Sequence, residues 1–208
     1  MTPIELLGFP QSNFVWAISL LCAEKGAACT VVPTRPRTPE LQAINPLGKM
    51  PGMRQGDVRL FESAAIAHYL DATLPGPRLF PVEPLPLAHV EQWVSFANTE
   101  LDPVLIRRYV VGYVFPGTAD GSPDRAKIDA SLPQLQTCLT LLDGAVASGF
   151  LANDALSYAD LNFLPMLHYV RGFPEAQGML ASLPALTAYY ARHSARASFQ
   201  ATLPPPMP

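Results

Sequence analysis

Five of the fourteen residues between positions 74 and 87, LPGPRLFPVEPLPL, are proline. Each proline removes an amide donor and fixes φ, so the run resists the interior of a helix or a sheet. It predicts an extended connector dividing the chain into two parts of different character. Before it, short apolar or β-branched runs alternate with helical periodicity. After it, the pattern is helical throughout.

The first part opens with IELLGF, an apolar run closed by glycine and proline, which predicts a strand over residues 4–8. Val15, Ile18, Leu21 and Cys22 then recur at helical spacing, with Gly26 as the stop, and ACTVVP supplies a second strand ending at Pro33. Strand, helix and strand within about thirty residues is a βαβ pattern with parallel strands. RPRTPELQAINPLGK allows only a short helix near residues 40–44. GMR and VRLF are brief strands around a Gln55-Gly56-Asp57 turn, and residues 63–74 predict a helix with Ile66, Tyr69, Leu70 and Leu74 on one side. Beyond the connector, helices are predicted over 88–113, 126–147, 157–171 and 183–192, with a loose tail at TLPPPMP. Ser157 and Asp160 form a capping box at the start of the third, and Pro165 should bend that helix or stop its first turns early.

Composition narrows the function. Apolar residues make up 49% and charged residues 15%, which excludes wholesale disorder. A net charge of −3 without a Lys/Arg cluster argues against nucleic acid. Three cysteines without a CxxC pair and four scattered histidines offer neither a disulfide scaffold nor a metal-ligand spacing. With no signal-type N-terminus and no uncharged apolar run of about 20 residues, the expectation is a cytoplasmic protein with no membrane partner.

The chemistry-bearing residues lie in the first part. Ser12 stands at a strand-to-helix junction, where free amides and the helix dipole favour an anion. It either caps the helix or donates a hydrogen bond to another nucleophile; no G-x-S-x-G elbow makes it a nucleophile itself. Pro51 is either an edge-turn proline or a cis residue that turns the Met50 amide and carbonyl outward to pair with an extended peptide. Ser63 reads as an N-cap beside a solvated Glu62. Together they could instead hold an amino acid, Glu62 facing its ammonium and Ser63 with the helix amides facing its carboxylate.

In combination, NPLGKMPGM and FESAAIAHYL, followed by FLANDALSYADLNFLPML and LPALTAYYARHSARASF, resemble the cytosolic glutathione transferases of the serine type over nearly the whole chain. The resemblance implies an α/β plus all-α chain. A thioredoxin-like glutathione-binding domain over 1–77 would precede an all-helical electrophile-binding domain over 88–203. It implies glutathione as co-substrate, conjugated to small apolar electrophiles, and a homodimer. Ser12 matches the catalytic serine. Pro51 matches the cis-proline, and Met50 the backbone partner of the cysteinyl unit. Glu62 and Ser63 match the pair that grips the γ-glutamyl end, while Lys49 and Arg37 match positions near the glycine carboxylate. No cysteine stands near Ser12, Trp16 occupies a position where a basic residue is common, and SYAD replaces TLAD or SLAD. Tyr109, Tyr113 and Phe115 are candidates to face the electrophile, although core packing suits each of them too. Two alternatives stay open: a glutathione-dependent isomerase or dehalogenase, suggested by Arg107 and Arg108, and a non-catalytic interaction protein, suggested by Trp16.

Overall fold

Ile4, Leu6 and Leu7 are all buried, so both faces of the strand they form must be covered. That strand, β1 (Ile4–Gly8), is central in the computed structural model, which describes residues 2–206. It pairs in parallel with β2 (Cys29–Pro33) and antiparallel with β3 (Gly52–Gln55), and β3 pairs antiparallel with β4 (Val58–Phe61). The order is β2-β1-β3-β4. The parallel pair is the one the βαβ pattern predicts, with α1 (Asn13–Glu24) as its crossover. Gly56 and Asp57 turn the β3–β4 hairpin, and Gly56 takes φ 58°, a region open to glycine at little cost.

Helix α3 (Ser63–Thr73) packs against α1 and β4, while α2 (Pro39–Gln42) lies on β3. A Cβ at Gly52 would stand 2.9 Å from Leu41 Cδ1, so this glycine permits the close approach of α2 to the sheet.

Lys25 is buried just past α1. Its Nζ donates to Asp71 Oδ1 (2.8 Å), Asp71 O (2.9 Å) and Pro77 O (3.0 Å). The Asp71 carboxylate also accepts from the amides of Leu79 and Phe80. Sequence periodicity assigned Lys25 no role of its own before the Gly26 stop. It is instead the counter-ion that holds the beginning of the proline run against the first unit.

Helix begins earlier in that run than composition suggests. α4 (Pro84–Phe96) starts with prolines in its first turn, where a missing amide breaks no intrahelical bond. The chain continues as a π-helical segment, Ala97–Val110, and then α5 (Val111–Val114). α6 (Arg125–Ala145), α7 (Tyr158–Val170), α8 (Pro174–Leu180), α9 (Pro184–Ser194) and α10 (Ala197–Thr202) follow. α8 and α10 were not separated by periodicity, being too short to show a face. Pro165 does not stop α7, which runs through it. The predicted capping box is present: Asp160 accepts from Ser157 N (2.9 Å) and Ser157 Oγ (3.1 Å), and also from Leu151 N and Tyr189 OH.

Contacts divide the chain into a unit that runs to Pro81 and is rejoined by Arg196–Pro206, and a helical unit from Val82 to Ala195. Arg196–Pro206 cluster with the first unit, α10 packing against α1. Among the described residues, no helix is long and apolar enough to cross a membrane and no cluster suits a metal ion.

In the helical unit Glu175 gathers Tyr113 OH (2.5 Å), Tyr109 OH (3.0 Å) and Arg125 NH1 (2.8 Å). Burial opposes ionisation of this carboxyl, but the Tyr113, Arg125 and Tyr109 hydrogen bonds outweigh it and bring its pKa to about 2. A depressed carboxyl pKa stabilises the fold above the unfolded value of about 4.5, and that contribution is lost as pH falls toward 2. Glu175→Gln is therefore expected to flatten the decline of the urea midpoint between about pH 4.5 and pH 2, the window set by those two values. An unaltered slope would remove this network from acid unfolding.

Candidate functional site

The end of β1, the start of α1 and the loop before β3 meet around Gly8. A Cβ added there would lie 2.8 Å from Val15 Cγ2 and 3.0 Å from Met50 Cβ, so glycine at this strand end lets Met50 approach the α1 entrance. Ser12 is the N-cap residue of α1 with extended backbone (φ −68°, ψ 123°), and its carbonyl accepts from Trp16 N at 2.9 Å. Its hydroxyl makes no capping bond. That disposes of the simpler of its two readings. A half-buried hydroxyl at a helix mouth, uncommitted among the described residues, remains available to an outside acceptor.

Met50 precedes Pro51 through a cis peptide bond, and Pro51 is buried while Met50 is half-buried. The β1–β3 register ends at Leu7↔Gly52. Neither the amide nor the carbonyl of Met50 is bonded to another part of the chain among the described residues. An edge of this kind can accept an extended peptide as a further strand. The loop behind it depends on a residue that the sequence motif contained but periodicity could not weigh. Asn45 is buried, accepts from Leu47 N (3.0 Å) and donates to Lys49 O (3.0 Å), which sets the course of the chain into Met50.

Gly48 (φ 61°) donates to Asn45 O, and its own carbonyl accepts from Arg37 N at 2.9 Å. Arg37 also has positive φ (63°), and a Cβ on Gly48 would come within 2.7 Å of its Cα. Arg37 and Lys49 are thus drawn to one loop cluster by backbone pairing. Both side chains are exposed, and neither head group has a partner among the described residues.

Glu62 rather than Ser63 occupies the N-cap of α3, with φ 67° and ψ 117°. A non-glycine residue in this left-handed region costs on the order of 1–3 kcal/mol, and such strain concentrates at ligand sites. The side chain does not cap the helix and is exposed. Ser63 is the first helical residue and is buried. An acid therefore stands beside the open amides of an eleven-residue helix, an arrangement suited to an ammonium and a carboxylate on one ligand.

Outside the first unit, Tyr109 is fully buried with its hydroxyl given to Glu175, and Tyr113 stacks on Phe173 at 4.2 Å. Phe115 alone of the three aromatic candidates is exposed, at 63%. Arg107 is held by Asp102 (2.8 and 3.2 Å) and Arg108 by Gln134 (2.8 Å), so they do not form an uncommitted cationic pair. Trp16 is buried and packs against Phe199.

Residues 6–78 match the glutathione S-transferase N-terminal domain, and residues 111–201 the corresponding C-terminal domain. The chain is 31% identical to glutathione S-transferase 3 of Zea mays, covering 99% of this chain and 98% of that one. It is 28% identical to glutathione S-transferase 1 of Triticum aestivum over 96% and 93%. Among solved structures, that of glutathione S-transferase III in apo form is similar at TM-score 0.84 and 30% identity, covering 98% of this chain and 99% of that one. The theta-class glutathione S-transferase of Xanthomonas axonopodis pv. citri, solved with glutathione bound, is similar at TM-score 0.83 and 26% identity over the full length of both.

Proposed function

The chain belongs to the glutathione S-transferase family, and from that membership we propose how its first unit holds glutathione and ionises the thiol. The activity is conjugation of glutathione to electrophiles. Glutathione lies extended along Met50, exchanging backbone hydrogen bonds with the edge before Pro51. Its γ-glutamyl ammonium meets Glu62, and the neighbouring carboxylate meets Ser63 and the first amides of α3. Lys49 and Arg37 face the glycine carboxylate at the other end. The sulfur then stands at the mouth of α1.

A free thiol of pKa about 8.5 is only a few per cent ionised at neutral pH. The Ser12 hydroxyl donates a hydrogen bond to the sulfur anion, and the positive end of α1 adds to that preference. The thiolate attacks an electrophilic carbon, a carbon–sulfur bond forms, and the leaving group departs with its electron pair. The observation that carries this mechanism is the Ser12 hydroxyl, placed at a helix entrance yet not used to cap it.

The finer proposals are a small apolar electrophile, a homodimer and a cytoplasmic location. Val110–Phe115 carries no charge and exposes Phe115, which supports the first. Leu47 and Phe61 are large exposed apolar side chains on the first unit, which supports the second. Sedimentation velocity at micromolar concentration should give a dimer, and a persistent monomer would end that proposal. An isomerase or dehalogenase loses its supporting feature, because Arg107 and Arg108 are engaged within the helical unit.

Orientation of the peptide is tested by binding. Glu62→Ala and Ser63→Ala should each weaken the glutathione dissociation constant by about ten- to a hundredfold, the usual effect of losing a charge-assisted hydrogen bond. Calorimetry on folded variants measures this directly. Normal affinity in both would require the γ-glutamyl end to bind elsewhere.

A further inference from the structure

The first unit is completed by a segment from the far end of the sequence, and that segment grips the helix whose mouth holds Ser12. Trp16 closes the first turn of α1, its amide donating to the Ser12 carbonyl at 2.9 Å. Its buried indole N–H donates to Thr202 Oγ1 at 3.0 Å, and its ring lies 5.1 Å from that of Phe199. Thr202 Oγ1 in turn donates to Ser198 O at 2.8 Å, so the acceptor is oriented by α10 itself. At the other end of α1, the Glu24 carboxylate takes both arms of the Arg196 guanidinium at 2.7 Å each, and the Ser198 hydroxyl as well. α10 is therefore fastened to α1 near its first turn and at its last residue. Two attachments about eight residues apart along a helix restrain its tilt and its sliding, where one attachment alone would leave a pivot.

We infer that Trp16 and Thr202 are positioning residues for the reaction, holding the first turn of α1 so that the Ser12 hydroxyl meets the glutathione sulfur. This rests on the proposed role of Ser12. A hydrogen bond to sulfur depends steeply on direction and distance, and a small displacement of a catalytic group lowers rate far more than it lowers affinity. Trp16 thereby does through α10 what its burial alone does not require: packing against Phe199 needs the ring, and the bond to Thr202 needs the indole N–H.

The test uses the full chain with Trp16→Phe, which keeps an aromatic ring and deletes the N–H, and with Thr202→Val and Thr202→Ser. Thiolate absorbance of the glutathione complex against pH gives the pKa of the bound thiol. Affinity for S-methylglutathione and the thermal midpoint are measured alongside. Trp16→Phe and Thr202→Val should raise the thiol pKa by about 0.5–1 unit, lowering kcat/KM about three- to tenfold at pH 6.5. S-methylglutathione affinity should hold, and Thr202→Ser should behave as the parent. In a Ser12→Ala background, Trp16→Phe should add no further shift. An unchanged thiol pKa in Trp16→Phe and Thr202→Val, with only the melting point lowered, would overturn the inference while leaving Ser12 in place. A further shift in the Ser12→Ala background would overturn it as well. If Ser12→Ala alone leaves the thiol pKa unmoved, the role of Ser12 falls first, and this inference falls with it.

Discussion

Ser12→Ala is expected to lower kcat/KM toward a chlorodinitrobenzene-type substrate by roughly ten- to a hundredfold at pH 6.5. A hydrogen bond to a charged group contributes about 1.5–3 kcal/mol, which corresponds to about one to two units in the pKa of the bound thiol. The sign gives the prediction its shape. In the proposed role Ser12 favours the anion, so its loss raises the thiol pKa, and the proportional loss of thiolate is largest at pH values below the parent's thiol pKa. Above about pH 9 even an unassisted thiol of pKa about 8.5 is mostly ionised, so the two profiles should converge there. The hydroxyl caps nothing in α1, so stability should change little. S-methylglutathione, which has no thiol to ionise, should bind both forms alike. A constant deficit across the pH range would mean that Ser12 acts on the electrophile or the fold. No deficit would remove it from the chemistry.

Lys25→Met should cost the fold about 3–5 kcal/mol, because the Asp71 carboxylate is then left buried without its cation. Lys25 and Asp71 are almost wholly shielded, at 1% and 3% side-chain exposure, so water cannot replace the lost partner. The Leu79 and Phe80 amides still donate to the carboxylate but carry no full charge. For a chain of this size melting as one cooperative unit, the loss corresponds to a fall of about 6–20 °C in the melting point. Adding Asp71→Asn removes the stranded charge while keeping an oxygen for those amides, and should recover part of the loss. A melting point for Lys25→Met equal to that of the parent would show that the carboxylate is protonated or hydrated in the fold.

These two experiments address residues that the sequence exposed to different degrees. Ser12 was visible at a strand-to-helix junction, but both of its uses follow from the same local pattern, and only the absent cap bond separates them. Glu62 and Ser63 were visible as a pair, yet the N-cap falls one residue earlier than expected, on Glu62 rather than Ser63. A left-handed φ at a non-glycine residue is imposed by surroundings rather than by propensity. Lys25 gave no signal at all, because its partners at Asp71 and Pro77 are distant in sequence.

What the chain settles locally is therefore the kind and order of its elements. Period-two and period-3.6 apolar patterns, glycine stops and the proline run reveal a βαβ start, a hairpin and a helical remainder, since each depends on neighbours a few residues away. The family motifs then single out one loop and one helix start as the proposed glutathione site. Tertiary structure decided what those patterns cannot carry: that β1 lies between β2 and β3, that Gly8 and Met50 meet at the mouth of α1, and that residues 196–206 return to finish the first unit. Those outcomes come from contacts between residues tens to nearly two hundred positions apart. Their free energy comes from burial and pairing in space, which no local spacing along the chain encodes.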